Sequence, residues 1–141
     1  MLDGNGAPAP GYWVAVLWKT LMGPRVLAVA QAVGAPDTVT VYAFAAPPSC
    51  PACTGAAVLN RGLEPATVQL NWTACTAPQQ VYVVTAGPDD PAGKPTVAIN
   101  DVVPEFAAGS ARLPHWPAQA VPCGAPVQVP PLALAFVTTI A

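Results

Sequence analysis

Chemistry in this 141-residue chain has to come from few side chains: seven Asp and Glu, five Lys and Arg, one His and four Cys. The acids are Asp3, Asp37, Glu64, Asp89, Asp90, Asp101 and Glu105. General acid–base or nucleophilic work by carboxyl groups needs two of them held close together, one kept protonated by its surroundings. Most of these acids stand beside Gly, Pro or Asn in turn-forming sequence, where water keeps a carboxylate ionised. Asp89-Asp90 is the one adjacent pair. A solvated turn explains it better than a Ca²⁺ site, which takes about six to eight oxygen ligands. His115, in Leu113-Pro114-His115-Trp116-Pro117, has no Gly-x-Ser-x-Gly elbow to activate. These residues therefore lead us to expect no catalytic residue, no metal ligand set and no cofactor in this chain.

The cysteines carry more information. Cys50-Pro51-Ala52-Cys53 has dithiol spacing, but a thioredoxin-like motif opens a helix after a strand, and this one lies in a proline-rich loop. Zinc would need two further ligands drawn from Cys75, Cys123 and His115 at unhelpful spacing. Structural disulfides fit better. Residues 57–60 and 67–72 flank a turn-like 61–65 and read as a hairpin. With residue 60 opposite residue 68, Cys53 falls opposite Cys75 at the open end, within bridging reach, leaving Cys50 and Cys123 as a second pair. Asn71-Trp72-Thr73 is an N-glycosylation sequon, making Asn71 a glycosylation candidate. Sequon and cysteines together point to an extracytosolic setting. The opening Met1-Leu2-Asp3-Gly4-Asn5-Gly6 has neither the basic nor the apolar region of a signal peptide, a conflict that a fragment of a longer secreted protein would resolve. Trp72 and Trp116 are candidates for stacking on sugar faces, against the commoner use of Trp in cores and interfaces.

The elements that must position these residues are mostly strands. Nineteen Pro and eleven Gly favour short strands and turns over long helices. The clearest helix lies in residues 11–22, where Val14, Leu17, Trp18 and Leu21 follow one helical face and Gly23-Pro24 supplies a left-handed cap and a stop. Trp13, Val16 and Met22 put apolar bulk on its other faces. Strands are expected at 26–33, 38–44, 57–60, 67–72, 81–85, 97–99 and 102–103, with Asn100-Asp101 as a turn between the last two. The run 132–140 is long enough for a central closing strand. The expected class is mainly β, an antiparallel β-sandwich preceded by one N-terminal α-helix. Only 9% of residues are charged, with no basic patch, which argues against a nucleic-acid partner, and no apolar run reaches the roughly 20 residues of a transmembrane segment.

The order of motifs also resembles a known family. Pro10-Gly11-Tyr12-Trp13, then Leu17-Trp18-Lys19, Leu21-Met22-Gly23 and Val26-Leu27, is similar to the segment after the last barrel strand of heparanase-like glycoside hydrolases, family 79. Leu2-Asp3, Val41-Tyr42, Val58-Leu59-Asn60, Val81-Tyr82-Val83-Val84-Thr85, Ala98-Ile99-Asn100-Asp101 and Val129-Pro130-Pro131-Leu132 fall in family order as well. The resemblance implies a parent enzyme with a (β/α)8 barrel bearing two catalytic glutamates and a mainly C-terminal β-sandwich. It would be an endo-β-glucuronidase, a retaining hydrolase of glucuronic-acid-containing polysaccharides or glycoconjugates, in an extracellular, cell-wall or lysosome-like compartment.

On this resemblance, residues 1–25 are loop and last barrel helix, and 26–141 are the sandwich. Both catalytic glutamates and a Gly-Asn-Tyr-like substrate contact lie upstream of Met1, so no functional residue of the family transfers here. The family's C-terminal Cys has no counterpart after Ile140. The implied partners are the barrel and, through it, the polysaccharide. Trp13, Leu17, Trp18 and Leu21 are the barrel-interface candidates, with an exposed apolar patch expected around Trp13, Leu17 and Leu21. The competing reading is a stand-alone secreted β-sandwich that binds carbohydrate or protein.

Overall fold

The computed structural model describes residues 8–31, 35–45, 47, 50–72, 75–89, 93–105 and 116–140. Asp3, Asp90, Thr73 and His115 lie outside the described residues. The elements are α1 (Pro10–Leu21), β1 (Val26–Leu27), β2 (Val39–Phe44), β3 (Cys53–Asn60), β4 (Ala66–Val68), β5 (Gln79–Ala86), β6 (Val97–Ile99), β7 (Gln119–Val121), β8 (Val127–Val129) and β9 (Ala133–Ile140). Seven strands form one antiparallel sheet in the order β1-β2-β3-β9-β5-β6, with β7 also on β5, while β4 and β8 pair with each other. The helix packs on one face of the large sheet and the small sheet on the other. The architecture is the expected antiparallel sandwich led by a helix, and it is not a closed barrel.

The centre of the large sheet is β9, flanked by β3 and β5. Its eight residues carry no charge and no Pro, and both faces are buried. That composition suits a strand with no solvent face. Register then assigns the two cores. Phe44, Ala57, Phe136, Val84 and Ile99 face the helix with Trp13, Leu17 and Met22. One residue out of phase, Val39, Val58, Ala135, Val137 and Val81 face the small sheet, with Val127 and Val129 of β8. The Asn100-Asp101 turn is as expected: both residues have positive φ, and Ile99 and Val102 exchange backbone hydrogen bonds across it.

The helix starts on Pro10, whose missing N–H falls where a helix has no internal acceptor. Its end differs from expectation. Met22, not Gly23, is the cap, in an extended conformation rather than a left-handed one. The Met22 side chain drops onto β3 at Gly55, where an added Cβ would stand 2.7 Å from Met22 Cε and 3.1 Å from the Leu21 carbonyl. Packing against the sheet therefore sets the helix terminus.

Two further expectations are overturned. The patch around Trp13, Leu17 and Leu21 is not exposed: Trp13 and Leu17 are buried on the chain's own sheet, and Leu21 is half-buried beside them. The helix is one-sided, with Gly11, Ala15, Trp18, Lys19 and Thr20 left to solvent. The hairpin of 57–60 with 67–72 is also absent. β3 pairs with β2 and β9, whereas β4 pairs with β8. Residues 61–65 cross from one layer to the other, so their turn chemistry marks a change of sheet. Of the long strands expected at 26–33 and 67–72, only β1 and β4 form.

Candidate functional site

Buried amides position the space between the two layers. Asn60 ends β3 and is 1% exposed. Its Nδ2 donates to the carbonyls of Glu64 (2.9 Å), Val129 (3.1 Å) and Pro130 (3.0 Å), and its Oδ1 accepts from Gly62 N (2.9 Å). One side chain thus ties β3, the crossing loop and the end of β8. Gln79 opens β5 and is fully buried. Its Oε1 accepts from Trp72 Nε1 at 2.8 Å, while its Nε2 donates to the carbonyls of Pro122 (2.9 Å) and Ala125 (3.1 Å). Asn100, half-buried, makes a similar tie, donating to the Val81 and Pro117 carbonyls and accepting from Val83 N. Sequence reasoning did not single out these three as anchors. The available signal was an amide placed directly against apolar strand residues, where an unpaired polar group would be costly.

The disulfides join Cys50 to Cys53 and Cys75 to Cys123. The expected Cys53–Cys75 and Cys50–Cys123 pairs are therefore corrected, because the hairpin that aligned Cys53 with Cys75 does not exist. Cys53 begins β3 opposite Ile140, and Cys75 lies beyond the small sheet, 6.0 Å in Cα distance from Cys123. Thr139 Oγ1 lies 2.9 Å from Cys75 Sγ, and since a disulfide sulfur carries no hydrogen, the hydroxyl donates. The 75–123 bridge spans 48 residues and the 50–53 bridge only 3. Replacing Cys75 and Cys123 by Ser is expected to cost about 2–4 kcal/mol, and replacing Cys50 and Cys53 distinctly less, because loop-closure entropy grows with loop length. Urea unfolding of the two double variants checks the order, and non-reduced peptide mapping checks the pairing.

The described acids do not converge. Asp37, Glu64, Asp89, Asp101 and Glu105 are all exposed. No three His, Cys, Asp or Glu side chains gather to hold a metal among the described residues. The candidate tryptophans are engaged internally: Trp72 packs on the small-sheet core with its N–H on Gln79, and Trp116 stands edge-on to Trp13 at 6.1 Å. Asn71 is exposed. Burial pushes the Tyr82 phenol above its ordinary value on the helix face of β5. Among the barrel-interface candidates only Trp18 presents a free surface, 39% exposed. It lies edge-on to Phe44 and Phe136, and Tyr42 and Leu132 on β2 and before β9 are exposed too.

Two hollows open between the layers. A small one of about 210 Å³ lies by Val83, Asn100, Gln119 and Gln128. The larger, about 1270 Å³, runs between the β1–β2 side of the large sheet and the outer edge of β4. Val41, Ala43 and Ala56 line it on the large-sheet side, and Val68, Leu70 and Trp72 on the other.

No family model matches the chain, and no curated protein does either. Solved structures do match. The chain is similar to a GH30 endoxylanase from Clostridium papyrosolvens C71, with TM-score 0.58 and 14% identity over 97% of this chain and 29% of that one. It is also similar to CelM2, a bifunctional glucanase-xylanase from a metagenome library, with TM-score 0.55 and 15% identity over 94% of this chain and 22% of that one. The chain thus spans under a third of these proteins. The likeness shows the fold, one that occurs as a part of larger glycoside hydrolases. It supports a glycoside-hydrolase-related fold and does not single out family 79.

Proposed function

We propose that this chain is the non-catalytic C-terminal β-sandwich of a larger glycoside hydrolase, of the heparanase-like endo-β-glucuronidase type. The observation that carries the reading is that nearly the whole chain superposes on a minor part of each solved hydrolase. The motif order from Tyr12-Trp13 to Val129-Pro130-Pro131-Leu132 narrows it toward family 79. The sandwich would brace a (β/α)8 barrel that carries the glutamate pair, with the exposed ring of Trp18 on the helix as one contact. Two disulfides and an exposed Asn71 accord with an extracellular or comparable oxidising compartment for the parent.

Co-expression with the barrel of a family 79 enzyme, truncated before its own sandwich, tests the reading. The expected result is a stable complex that hydrolyses a β-glucuronide which neither part hydrolyses alone. A complex active on xylan and inactive on glucuronides would replace the family 79 assignment with the broader one. Failure to associate would remove the hydrolase reading.

A further inference from the structure

We infer that the 210 Å³ hollow beside the Asn100-Asp101 turn is a binding site for one uncharged sugar ring. Its walls come from four places in the fold. β5 supplies Val83 and Thr85, the turn after β6 supplies Asp101, β7 supplies Gln119, and β8 with the residue after it supplies Gln128 and Pro130. Asn100 braces them, bonding β5 at Val81 and Val83 and the segment before β7 at Pro117.

Asn100 commits its amide to the backbone, but its neighbours keep theirs. The side chains of Thr85, Asp101 and Gln119 make no hydrogen bond among the described residues. Gln128 uses only its Oε1, which accepts from Thr67 Oγ1 at 2.9 Å, so its N–H groups stay open. What remains is a carboxylate that accepts, amides that donate and accept, and a hydroxyl that does both. Sugar hydroxyls, each donor and acceptor at once, match that mixture. Val83 and Pro130 add aliphatic surface for the C–H face of a ring. At ~30 Å³ per water the space holds about seven waters, enough for one six-membered ring and short of a disaccharide. Asp101 is the only charged residue in the lining, so an anionic ring is disfavoured. A calcium ion, which takes about six to eight oxygens, would find a single carboxylate.

The backbone singles out Asp101 as well. Its φ of 65° lies in the left-handed region, at the second central position of a two-residue turn. Glycine is the favoured residue there, since it has no Cβ to strain. Asp gives the turn nothing that Gly would not, and it brings the one charge into the hollow. The pocket is read from these residues; that its ring is a neutral unit of the parent's polysaccharide rests on the reading just given.

The test titrates the isotope-labelled 141-residue chain with methyl β-D-xylopyranoside and methyl β-D-glucopyranoside, followed by amide chemical shifts. We expect saturable shifts centred on residues 83–85, 100–101, 119 and 128, with a Kd on the order of 1–10 mM for so few ligand atoms. Methyl β-D-glucuronide should bind at least about tenfold more weakly. Asp101→Gly should weaken the neutral glycosides at least about tenfold while the melting temperature holds or rises, a split that a purely structural Asp101 would not produce. Gln119→Ala, on the exposed part of β7, should weaken them at least about threefold; if Asp101→Gly fails to fold, this variant still decides. Absence of saturable shifts, or shifts centred elsewhere, overturns the site. So does equal binding of the acyclic polyol D-glucitol, equal or tighter binding of the glucuronide, or unchanged binding by Asp101→Gly. Shifts abolished by EDTA would mark a cation site and overturn it too. Glycoside binding by a chain that fails the barrel co-expression test supports the pocket and removes the parent hydrolase as the source of the ring. Barrel complementation without glycoside binding overturns the pocket alone.

Discussion

Asn60→Ala is expected to destabilise the chain by about 3–5 kcal/mol, among the largest effects of any single substitution here. The residue is buried at the end of β3, and its two amide hydrogens serve the carbonyls of Glu64, Val129 and Pro130. Its Oδ1 takes the Gly62 N–H as the chain turns out of the large sheet. Truncation to Ala removes all four contacts and supplies nothing in return. An acceptor stranded away from water costs about 1–3 kcal/mol, and the Val129 carbonyl is the most deeply placed of the three. The consequence is local as well as global. Glu64 lies in the crossing loop, and Val129 ends β8, so loss of the amide loosens the small sheet from the large one. Urea unfolding should report the lower midpoint, and amide exchange should quicken in β4 and β8 before β9. A cost below about 1 kcal/mol would mean that water replaces the side chain at this junction.

The same residue explains where sequence reading stopped. The alternation of β2, the apolar run of β9 and the helical spacing of Leu17 and Leu21 are local signals, and each element formed as expected. A turn is also local, but its destination is not. Residues 61–65 carry the Gly and Pro of a hairpin connection, yet the chain leaves the sheet there because a distant pair of carbonyls, at 129 and 130, meets the Asn60 amide. The cysteine pairing failed with that hairpin, since its register was the premise. The helix misled in a different way. Trp13, Val16 and Met22 on other faces suggested burial by a second body, whereas Trp13 and Met22 are buried with Leu17 on the chain's own sheet and Trp18 is exposed.

Candidate chemistry was legible only in outline. Acids beside Gly and Pro turned out exposed wherever they are described, as turn composition implied. The cleft was not legible, because it depends on how few strands face β2, and strand count per layer is a property of topology. The helix accordingly belongs to the sandwich's own core, with Trp18 as its exposed ring, and its apolar faces do not await a second body for burial.

Phe136→Ala is expected to cost about 3–5 kcal/mol and to lower the melting temperature by roughly 10–15 °C. The side chain is fully buried in the central strand β9. Its cross-strand neighbours are Ala57 on β3 and Tyr82 on β5, and Trp18 meets it edge-on at 6.1 Å. The small Ala57 stands beside the large Phe136, and both share one buried cluster with Trp13 and Leu17 of the helix, so the Phe136 ring is the largest fully buried side chain in that layer. Removing it leaves a cavity that neither the two-sided β9 nor the helix, pinned at Met22 over Gly55, can close by collapse. With a total stability of about 5–15 kcal/mol for a domain, such a loss populates the unfolded chain measurably. Phe136→Leu, which keeps most of the volume, should cost less than about 1.5 kcal/mol. Trp18→Ala should also cost less than Phe136→Ala, because part of that ring already faces water. Thermal and urea unfolding of the three variants gives the order. If Trp18→Ala proved the most damaging, the helix would be held chiefly by its outer edge, and the same ring could not also serve as free surface for a barrel.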